Sequence, residues 1–468
     1  MFISSHLRRV KFALLVWVGI LMCGCASLKH PHTTASHPRG DSAATSPSPA
    51  LAKLETNLSD CLAGNHDCVS LLYGTNRAPN QGKDKYYSNA PLPNGSAPVL
   101  GEVVVVLPAR NAHKKSDTPR ALNSEEAQYR ANKFAIWGGE IGPQELTADQ
   151  FELLARARLN QIMVPRKTAL VYIHGYQFSF EDAAFSAARL KTNLFMRGPT
   201  FFFSWPSNNK GTHYFNDQQD ADFSAEALAD FLRVVKKSVG ETTDLNIISH
   251  SLGNRVIGQA FNILRQENTT RQDYMQGDPF FEAAIFASAD LDENLFSQWI
   301  VGPPNAPPLV KKPVIYVTDD DLLLKLSKTI LVGNCRDGDP KYRVGLVTKK
   351  DCETGERRVS VFPKPFETVD LSNEPGDKFL GIFKKNHFKH TKSRKVMCHM
   401  ARLFDGGEVS DFEDNDIVEP VEADGRSYWV TDSKRKVKVL QDCFHDGKHP
   451  ETYPAIVLNE SADRSLSP

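Results

Sequence analysis

Residues 244–260 read Asp-Leu-Asn-Ile-Ile-Ser-His-Ser-Leu-Gly-Asn-Arg-Val-Ile-Gly-Gln-Ala, and this stretch decides the fold. A short apolar strand at residues 245–248 runs into a tight turn, after which apolar side chains recur every three or four positions, as in a helix. Ser251 stands in the turn with Ser249 and Gly253 on either side, the small-x-Ser-x-Gly form of a nucleophile elbow. The pattern predicts an exposed serine hydroxyl facing the free N–H groups of the following helix. A buried serine that only caps the helix is the alternative.

The overall composition narrows the classes of function. With 468 residues, the chain has room for one large domain with additions or for two domains. Lysine plus arginine and aspartate plus glutamate both number 56, so the formal net charge is zero. Because a nucleic-acid-binding domain normally carries a basic excess, we expect no nucleic-acid partner.

The amino terminus has the features of an export signal. Residues 8–11 are rich in positive charge, and residues 12–22 form an apolar run that is short for a membrane-spanning helix. A small residue then precedes Cys25, which resembles the lipobox of bacterial lipoproteins. We therefore predict residues 1–25 to be a lipoprotein signal peptide with a lipidated Cys25, the alternative being an ordinary signal cleaved near Ala26. Because Ala26 rather than aspartate follows the cysteine, the resemblance implies an outer-membrane location facing the periplasm.

The cysteine count agrees with export. Of eight cysteines, Cys23 would leave with the signal and Cys25 would carry the lipid, so 8 − 2 = 6 remain. Six cysteines allow fifteen connectivities, and proximity in the sequence favours one of them in an oxidising compartment. The predicted pairs are Cys61–Cys68, Cys335–Cys352 and Cys398–Cys443. No Cys-x-x-Cys or paired-histidine spacing indicates a metal site, and we expect no metal or organic cofactor.

The rest of the chain divides by composition. Residues 26–50 are rich in Ser, Thr, Pro, His and Ala and predict a flexible tether. Residues 51–400 are interpreted as one α/β domain, and residues 401–468 as a small β-rich extension with strands at residues 427–431 and 436–440.

Within the α/β domain, strands alternate with helices from residue 169 onward. Residues 71–79 are predicted to run from a strand into a turn. The other predicted strands are residues 103–107, 169–173, 200–204, 245–249, 283–287 and 314–317, and the predicted helices are residues 151–162, 180–195, 223–239, 255–265 and 396–404. Such alternation is typical of a mostly parallel, doubly wound sheet with helices on both faces. Functional groups are expected at the carboxyl ends of its strands.

A serine nucleophile needs a base, and the base needs a carboxylate that fixes its tautomer. In folds built around such an elbow, the acid and then the histidine follow the serine along the chain. The strand at residues 314–317 is followed by three candidate acids, Asp319, Asp320 and Asp321. Asp290 and Asp292, after the strand at residues 283–287, compete for the role.

The base is expected before the last helix of the domain. His387 is the better candidate there and His390 the reserve, although residues 384–395 could instead form a solvated basic face. For the oxyanion hole we predict the backbone N–H groups of Tyr176 and Leu252. His174 is interpreted as a structural histidine.

Several blocks together resemble one family. They are Tyr-Gly-Thr-Asn-Arg at residues 73–77, Val-Tyr-Ile-His-Gly-Tyr at 171–176, Phe-Glu-Asp-Ala-Ala at 180–184, Phe-Ser-Trp-Pro-Ser at 203–207, Ser-His-Ser-Leu-Gly-Asn-Arg at 249–255 and Tyr-Val-Thr at 316–318. The combination resembles bacterial α/β hydrolases of the esterase/lipase-like superfamily whose domain has no assigned function. The resemblance implies the α/β-hydrolase fold, with Ser251 as nucleophile, Asp321 as acid and His387 as base.

The sequence therefore predicts a carboxylesterase- or lipase-like serine hydrolase, anchored to the membrane by its lipid and acting on a small-molecule or lipid ester. A catalytically inactive envelope lipoprotein that uses the same scaffold for binding is the alternative. The loop at residues 206–222 and the insertion at residues 301–313 are expected to cover the pocket. Neither indicates one ester over another, and no pattern indicates an oligomeric state.

Overall fold

The computed structural model describes residues 58–59, 61, 68–80, 86–107, 135–136, 143–208, 214–270, 279–304, 306, 308–332, 342–348, 355–374, 386–412, 418–423 and 426–431. The predicted signal peptide, the lipid anchor at Cys25 and the tether lie outside these residues and stay predictions, as do the domain boundaries. Among the helices that the structure describes, none combines the length and the apolar character needed to cross a membrane.

The elements follow the predicted alternation. The strands are β1 Cys68–Thr75, β2 Arg77–Pro79, β3 Tyr87–Pro91, β4 Val99–Val106, β5 Ala135–Ile136, β6 Gln144–Leu146, β7 Lys167–Ile173, β8 Thr200–Ser204, β9 Thr243–His250, β10 Phe281–Ala287, β11 Val310–Val317, β12 Glu367–Asp370, β13 Val418–Ala423 and β14 Arg426–Thr431. The α-helices are α1 Ala148–Asn160, α2 Phe180–Asn193, α3 Tyr214–Phe223, α4 Ala225–Val239, α5 Gly253–Thr270, α6 Glu293–Phe296, α7 Leu322–Val332, α8 Lys389–Lys392 and α9 Arg394–Phe404.

The elbow strand lies in the middle of the main sheet. In the order β13-β14-β12-β11-β10-β9-β7-β8-β1-β4-β5, strand β9 is parallel to both of its neighbours, β7 and β10. The connection from β8 to β9 passes over β7, so the direction of strand addition reverses between β7 and β9. In open α/β sheets, ligands bind outside the carboxyl ends of the strands at such a switch point. Ser251 follows β9 at this edge.

Both faces of the sheet are covered, as the buried runs in the parallel strands predict. Successive side chains of β8 point to opposite faces: Phe201 packs against Phe151 of α1 with ring centroids 5.7 Å apart, and Phe202 packs against Phe180 of α2 at 5.5 Å. The two faces belong to separate hydrophobic clusters. The predicted fold, a mostly parallel sheet with helices on both faces, is confirmed.

Two elements differ from the sequence prediction. The structure has a separate helix, α3, before α4. The sequence analysis interpreted this stretch as a loop because most of its side chains are polar, and in the structure only Asp217 and Ala221 of the helix are buried. Strand β12 was also missed, since its four residues are too few to show a period. It pairs in parallel with β11 and extends the sheet beyond the predicted last strand.

The C-terminal β hairpin continues the main sheet. Strand β14 contains the predicted strand at residues 427–431 and pairs in parallel with β12. Its antiparallel partner is β13, whereas residues 436–440 lie outside the described part of the chain.

The expectation that residues 301–313 cover the pocket is wrong. The Leu309 carbonyl accepts a hydrogen bond from the Phe281 N–H at the start of β10, and β11 begins at the next residue. The described residues that precede β11 in this stretch therefore lie at the amino ends of the parallel strands, opposite the switch-point edge. Residues 342–348 cross the carboxyl ends instead, where Gly345 hydrogen-bonds to the chain after β10 and after β11.

One predicted disulfide is confirmed. Cys61 and Cys68 are bonded, with a Cα–Cα distance of 6.3 Å. Cys398 is also disulfide-bonded. The predicted pairs Cys335–Cys352 and Cys398–Cys443 involve residues outside the described part of the chain.

Candidate active site

Ser251 occupies a strained turn between β9 and α5. Its φ angle is 53°, in the left-handed region that residues other than glycine rarely adopt. The Ser251 N–H donates to the Ala287 carbonyl on β10 at 3.0 Å, and the Asn254 side-chain amide donates to the Ser251 carbonyl at 3.0 Å. These bonds hold the turn from both sides, and the geometry is that of a nucleophile elbow.

The loop after β7 lies directly against this turn. A Cβ atom on Gly175 would be 2.7 Å from the Ser251 Cβ, and one on Gly253 would be 2.5 Å from the His174 carbonyl oxygen. Both positions therefore require glycine for the loop and the elbow to approach each other. The same contact explains why Ser251 is 2% exposed, whereas the sequence predicted an open hydroxyl.

The predicted oxyanion donors flank this contact. Leu252 directly precedes the first turn of α5, where backbone N–H groups have no partner within the helix. Tyr176 directly follows Gly175, which lies against Ser251. The structure thus brings both chain segments to Ser251, and the role of their N–H groups stays a prediction.

Polar contacts fix the backbone just after Tyr176. Gln177 has a φ angle of 64°, and its N–H donates to the Ser207 Oγ at 2.7 Å. Ser207 in turn donates to the Asp217 carboxylate at 2.6 Å. Through this relay, the loop after β8 and helix α3 hold the loop after β7 in place.

Arg77, from the Tyr-Gly-Thr-Asn-Arg block, connects the end of β8 with the loop after β7. It is fully buried, its Nε donates to the Ser204 Oγ at 2.8 Å, and its guanidinium donates to the Phe178 carbonyl at 2.7 Å. Burial lowers its pKa to about 10, and the nearby carboxylates of Glu181 and Asp182 act in the opposite direction. The guanidinium therefore carries its charge at neutral pH and serves as a structural cross-link.

His174 has the contacts expected of a structural histidine. Its Nδ1 donates to the Gly175 carbonyl at 2.8 Å, and its ring stacks with those of Phe178 and Trp205. Burial, with a contribution from Arg77, lowers its pKa well below the usual value, so the ring stays neutral.

His387 and Asp321 come from distant parts of the chain and form a buried pair. His387 Nδ1 lies 2.6 Å from Asp321 Oδ2, and the two side chains are 3% and 0% exposed. Because a carboxylate only accepts, Nδ1 carries the hydrogen of this contact, and in the neutral form of the ring Nε2 has the lone pair. Asp321 Oδ1 accepts the Leu324 N–H at 3.0 Å, so the carboxylate also caps α7.

Ser251 and His387 form no direct hydrogen bond with each other, although both belong to the described residues. They are linked through the end of β10, where Ala287 accepts from the Ser251 N–H and the Ser288 Oγ donates to the His387 carbonyl at 3.2 Å. Catalytic hydrogen bonds are often long in unliganded enzymes and shorten in the substrate complex.

Asp320 holds the loop around His387 from both sides. Its Oδ2 accepts from the Asn386 side-chain amide at 2.8 Å, and its Oδ1 lies 2.9 Å from the Lys389 ammonium. Asn386 has a φ angle of 65°, so the chain turns sharply just before His387. The alternative of a solvated basic face is wrong here, since Lys389 and Lys395 are 3% and 6% exposed.

Asp290, the competing acid after β10, is occupied by other partners. Its Oδ2 accepts from the Tyr214 hydroxyl at 2.6 Å, and its Oδ1 accepts from the Ser327 hydroxyl at 2.6 Å and lies 3.4 Å from the Arg343 guanidinium. None of these partners is a histidine.

The remaining candidates make structural contacts. Asp292 caps α6, and Asp319 uses its backbone N–H to bind the Ser372 hydroxyl. Burial, with a contribution from His387, lowers the pKa of His390 to about 3. A group with so low a pKa is a weak general base at neutral pH.

The sequence analysis placed Tyr214 in the loop expected to cover the pocket but gave it no role of its own. Its hydroxyl binds Asp290, whose N–H donates to the Ser251 carbonyl at 3.2 Å, and its ring meets that of Tyr176 edge-on at 5.5 Å. Burial and the Asp290 charge raise its pKa well above the usual value, so the phenol keeps its proton. The loop expected to cover the pocket thus contributes a helix whose first residue lies beside the elbow.

Comparison with known proteins gives the family. Residues 152–401, more than half of the chain, match the family described as alpha/beta hydrolase of unknown function (DUF900). The chain belongs to this family. The matched residues include Ser251, Asp321 and His387, and the resemblance inferred from the sequence is confirmed at the level of the family.

Other comparisons add little to this family membership. Two structures of phospholipase PlaB from Legionella pneumophila, one of them in complex with thio-NAD, are 12% identical to the chain, with TM-scores of 0.23 for the complex and 0.26 for the other. Each match covers 57% of this chain and 67% or 68% of that chain. At such TM-scores the likeness says nothing about this chain. No curated protein matches it.

Among the described residues, no group of three or more His, Cys, Asp or Glu side chains is placed to hold a metal ion.

Proposed function

We propose that the protein is a serine hydrolase that cleaves carboxylic esters in the cell envelope. The observation that carries the proposal is the buried pair of His387 and Asp321, which leaves the His387 Nε2 lone pair available at the edge of the sheet where Ser251 lies. An elbow serine, an oriented imidazole and a buried carboxylate form the combination that acyl transfer requires.

The proposed reaction has two stages. His387 Nε2 takes the proton of the Ser251 hydroxyl as its oxygen attacks the ester carbonyl, and the Tyr176 and Leu252 N–H groups bind the negative oxygen. His387 then gives the proton to the leaving alcohol, and an acyl-enzyme remains on Ser251. A water molecule, deprotonated by His387, attacks this ester, and His387 gives the proton to the Ser251 oxygen as its bond to the acyl group breaks and the carboxylic acid leaves. Asp321 keeps the hydrogen on Nδ1 throughout.

The first experiment measures ester hydrolysis. Full-length protein in mild detergent is expected to hydrolyse p-nitrophenyl acetate and butyrate and to be labelled by a fluorophosphonate, because both reactions need an activated serine. If the purified, folded protein does neither, the proposal is wrong and the binding scaffold is the better interpretation. If it does both, the rates along an acyl-chain series separate short esters from lipids as substrates.

We also propose that a lipid on Cys25 anchors the protein in the outer membrane, facing the periplasm. The lipobox-like sequence supports this proposal. In bacterial cells fed an alkyne-tagged fatty acid, the wild type is expected to incorporate the tag, and Cys25→Ser to lose it and leave the membrane fraction. Cys23→Ser is the matched control and is expected to stay tagged. Equal tagging of Cys25→Ser and the wild type would contradict the proposed lipid anchor.

A further inference from the structure

The carbonyl group of His387 accepts two hydrogen bonds that the proposed mechanism does not use. His250 Nε2 lies 3.2 Å from the oxygen, and the Ser288 Oγ donates to it at 3.2 Å. His250 is the last residue of β9, and Ser288 directly follows β10. The ends of two adjacent strands thus converge on one oxygen, and both of its lone pairs are used.

The tautomer of His250 follows from this contact. A carbonyl only accepts, so Nε2 carries the hydrogen and Nδ1 the lone pair. The Nδ1 atom is buried and has no partner among the described residues. Burial, together with His390 and His387, lowers the pKa of His250 well below its usual value, so the ring remains a neutral donor.

The ring of His250 also fills the space behind the base. Its centroid lies 4.7 Å from those of His387, Phe388 and His390, and the side chain is 1% exposed. His250 directly precedes Ser251, so movement of its backbone would displace the nucleophile and the base together.

We propose that His250 and Ser288 are positioning residues that clamp the backbone of the base through its carbonyl group. This inference rests on the proposed function. Asp321 fixes the ring of His387 and Asp320 fixes the flanking residues, but neither contacts the carbonyl. The clamp ties the main chain of the base to the same two strand ends that hold the elbow.

Two substitutions of His250 separate the hydrogen bond from the fit of the side chain. In glutamine, the side-chain nitrogen is as many bonds from Cα as Nε2 is in histidine, so His250→Gln keeps a donor near the carbonyl. In asparagine, the amide is one bond shorter and does not reach it. Ser288→Ala removes the second donor with little change in volume, so it remains informative if a His250 variant fails to fold.

Steady-state kinetics of the full-length variants with p-nitrophenyl butyrate test the clamp. His250→Asn and Ser288→Ala are each expected to lower kcat by about tenfold, because His387 with one hydrogen bond fewer on its backbone carbonyl is held less often in the position that reaches Ser251. KM is expected to stay unchanged, because neither residue has a role in binding substrate. His250→Gln is expected to keep kcat within about threefold of wild type.

The clamp is wrong if His250→Asn and Ser288→Ala turn over like wild type while Ser251→Ala is inactive. It is also wrong if the Gln and Asn variants lose activity equally, since the effect would then come from packing of the ring. A folded wild type that neither hydrolyses the ester nor reacts with a fluorophosphonate would overturn the proposed function and the clamp with it. Melting temperatures of all variants establish that each is folded.

Discussion

Ser251→Ala and His387→Ala are each expected to lower kcat for p-nitrophenyl butyrate by about 10⁴-fold or more. In the proposed mechanism, the first removes the attacking oxygen, and the second removes the group that takes its proton. Because the two side chains act as a unit, the double variant is expected to be no slower than either single variant. Steady-state kinetics on the three purified proteins measure this non-additivity, which independent structural damage at two sites would not produce.

Matched controls lie close to both positions. Ser249 is 1% exposed, and its hydroxyl has no hydrogen-bond partner among the described residues, so Ser249→Ala removes a neighbouring buried hydroxyl outside the proposed chemistry. His390→Phe replaces the reserve base by another ring. Both are expected to keep kcat within about tenfold of wild type, the scale of ordinary packing effects. If these controls lose as much activity as Ser251→Ala, then any change in packing at this edge of the sheet lowers kcat, and the losses in Ser251→Ala and His387→Ala do not support the proposed triad.

The elbow could be predicted because its determinants are local. A strand, a small residue, a serine and a glycine within a few positions produce the strained turn, and Ser251 has the positive φ angle that the motif requires. The alternation of apolar strands and amphipathic helices likewise predicts the parallel sheet, since the spacing of apolar residues within each element indicates its type and its buried face. The order of serine, acid and histidine then limits where the partners can lie.

The supporting contacts could not be predicted because they join residues far apart in sequence. His250 and the His387 carbonyl are 137 positions apart, and Tyr214 and Asp290 are 76 positions apart. Nothing in the local sequence of either partner indicates the other. Helix α3 was missed for a related reason. Its first residue, Tyr214, is held by a hydrogen bond to the distant Asp290, and the helix has no apolar face of its own that the sequence could reveal.

The choice between Asp321 and Asp290 gives the second large expected effect. Asp321→Asn is expected to lower kcat by about 10⁴-fold. The asparagine amide would donate to His387 Nδ1, which moves the imidazole hydrogen to Nε2 and removes the lone pair that accepts the serine proton. The asparagine carbonyl can still accept the Leu324 N–H, so the cap of α7 and the melting temperature are expected to change little.

Asp290→Asn is the matched substitution, with the opposite expected result. The substitution weakens the buried contact with Arg343, so the melting temperature is expected to fall. It leaves an oxygen that accepts from the hydroxyl of Tyr214 or Ser327, so kcat is expected to stay within about tenfold of wild type. Kinetics and thermal unfolding of both variants separate the two carboxylates, because one change acts on the tautomer of the base and the other on the packing of α3 and α7. A 10⁴-fold loss in Asp290→Asn with an active Asp321→Asn would reverse the assignment and require His387 to turn toward β10 during turnover.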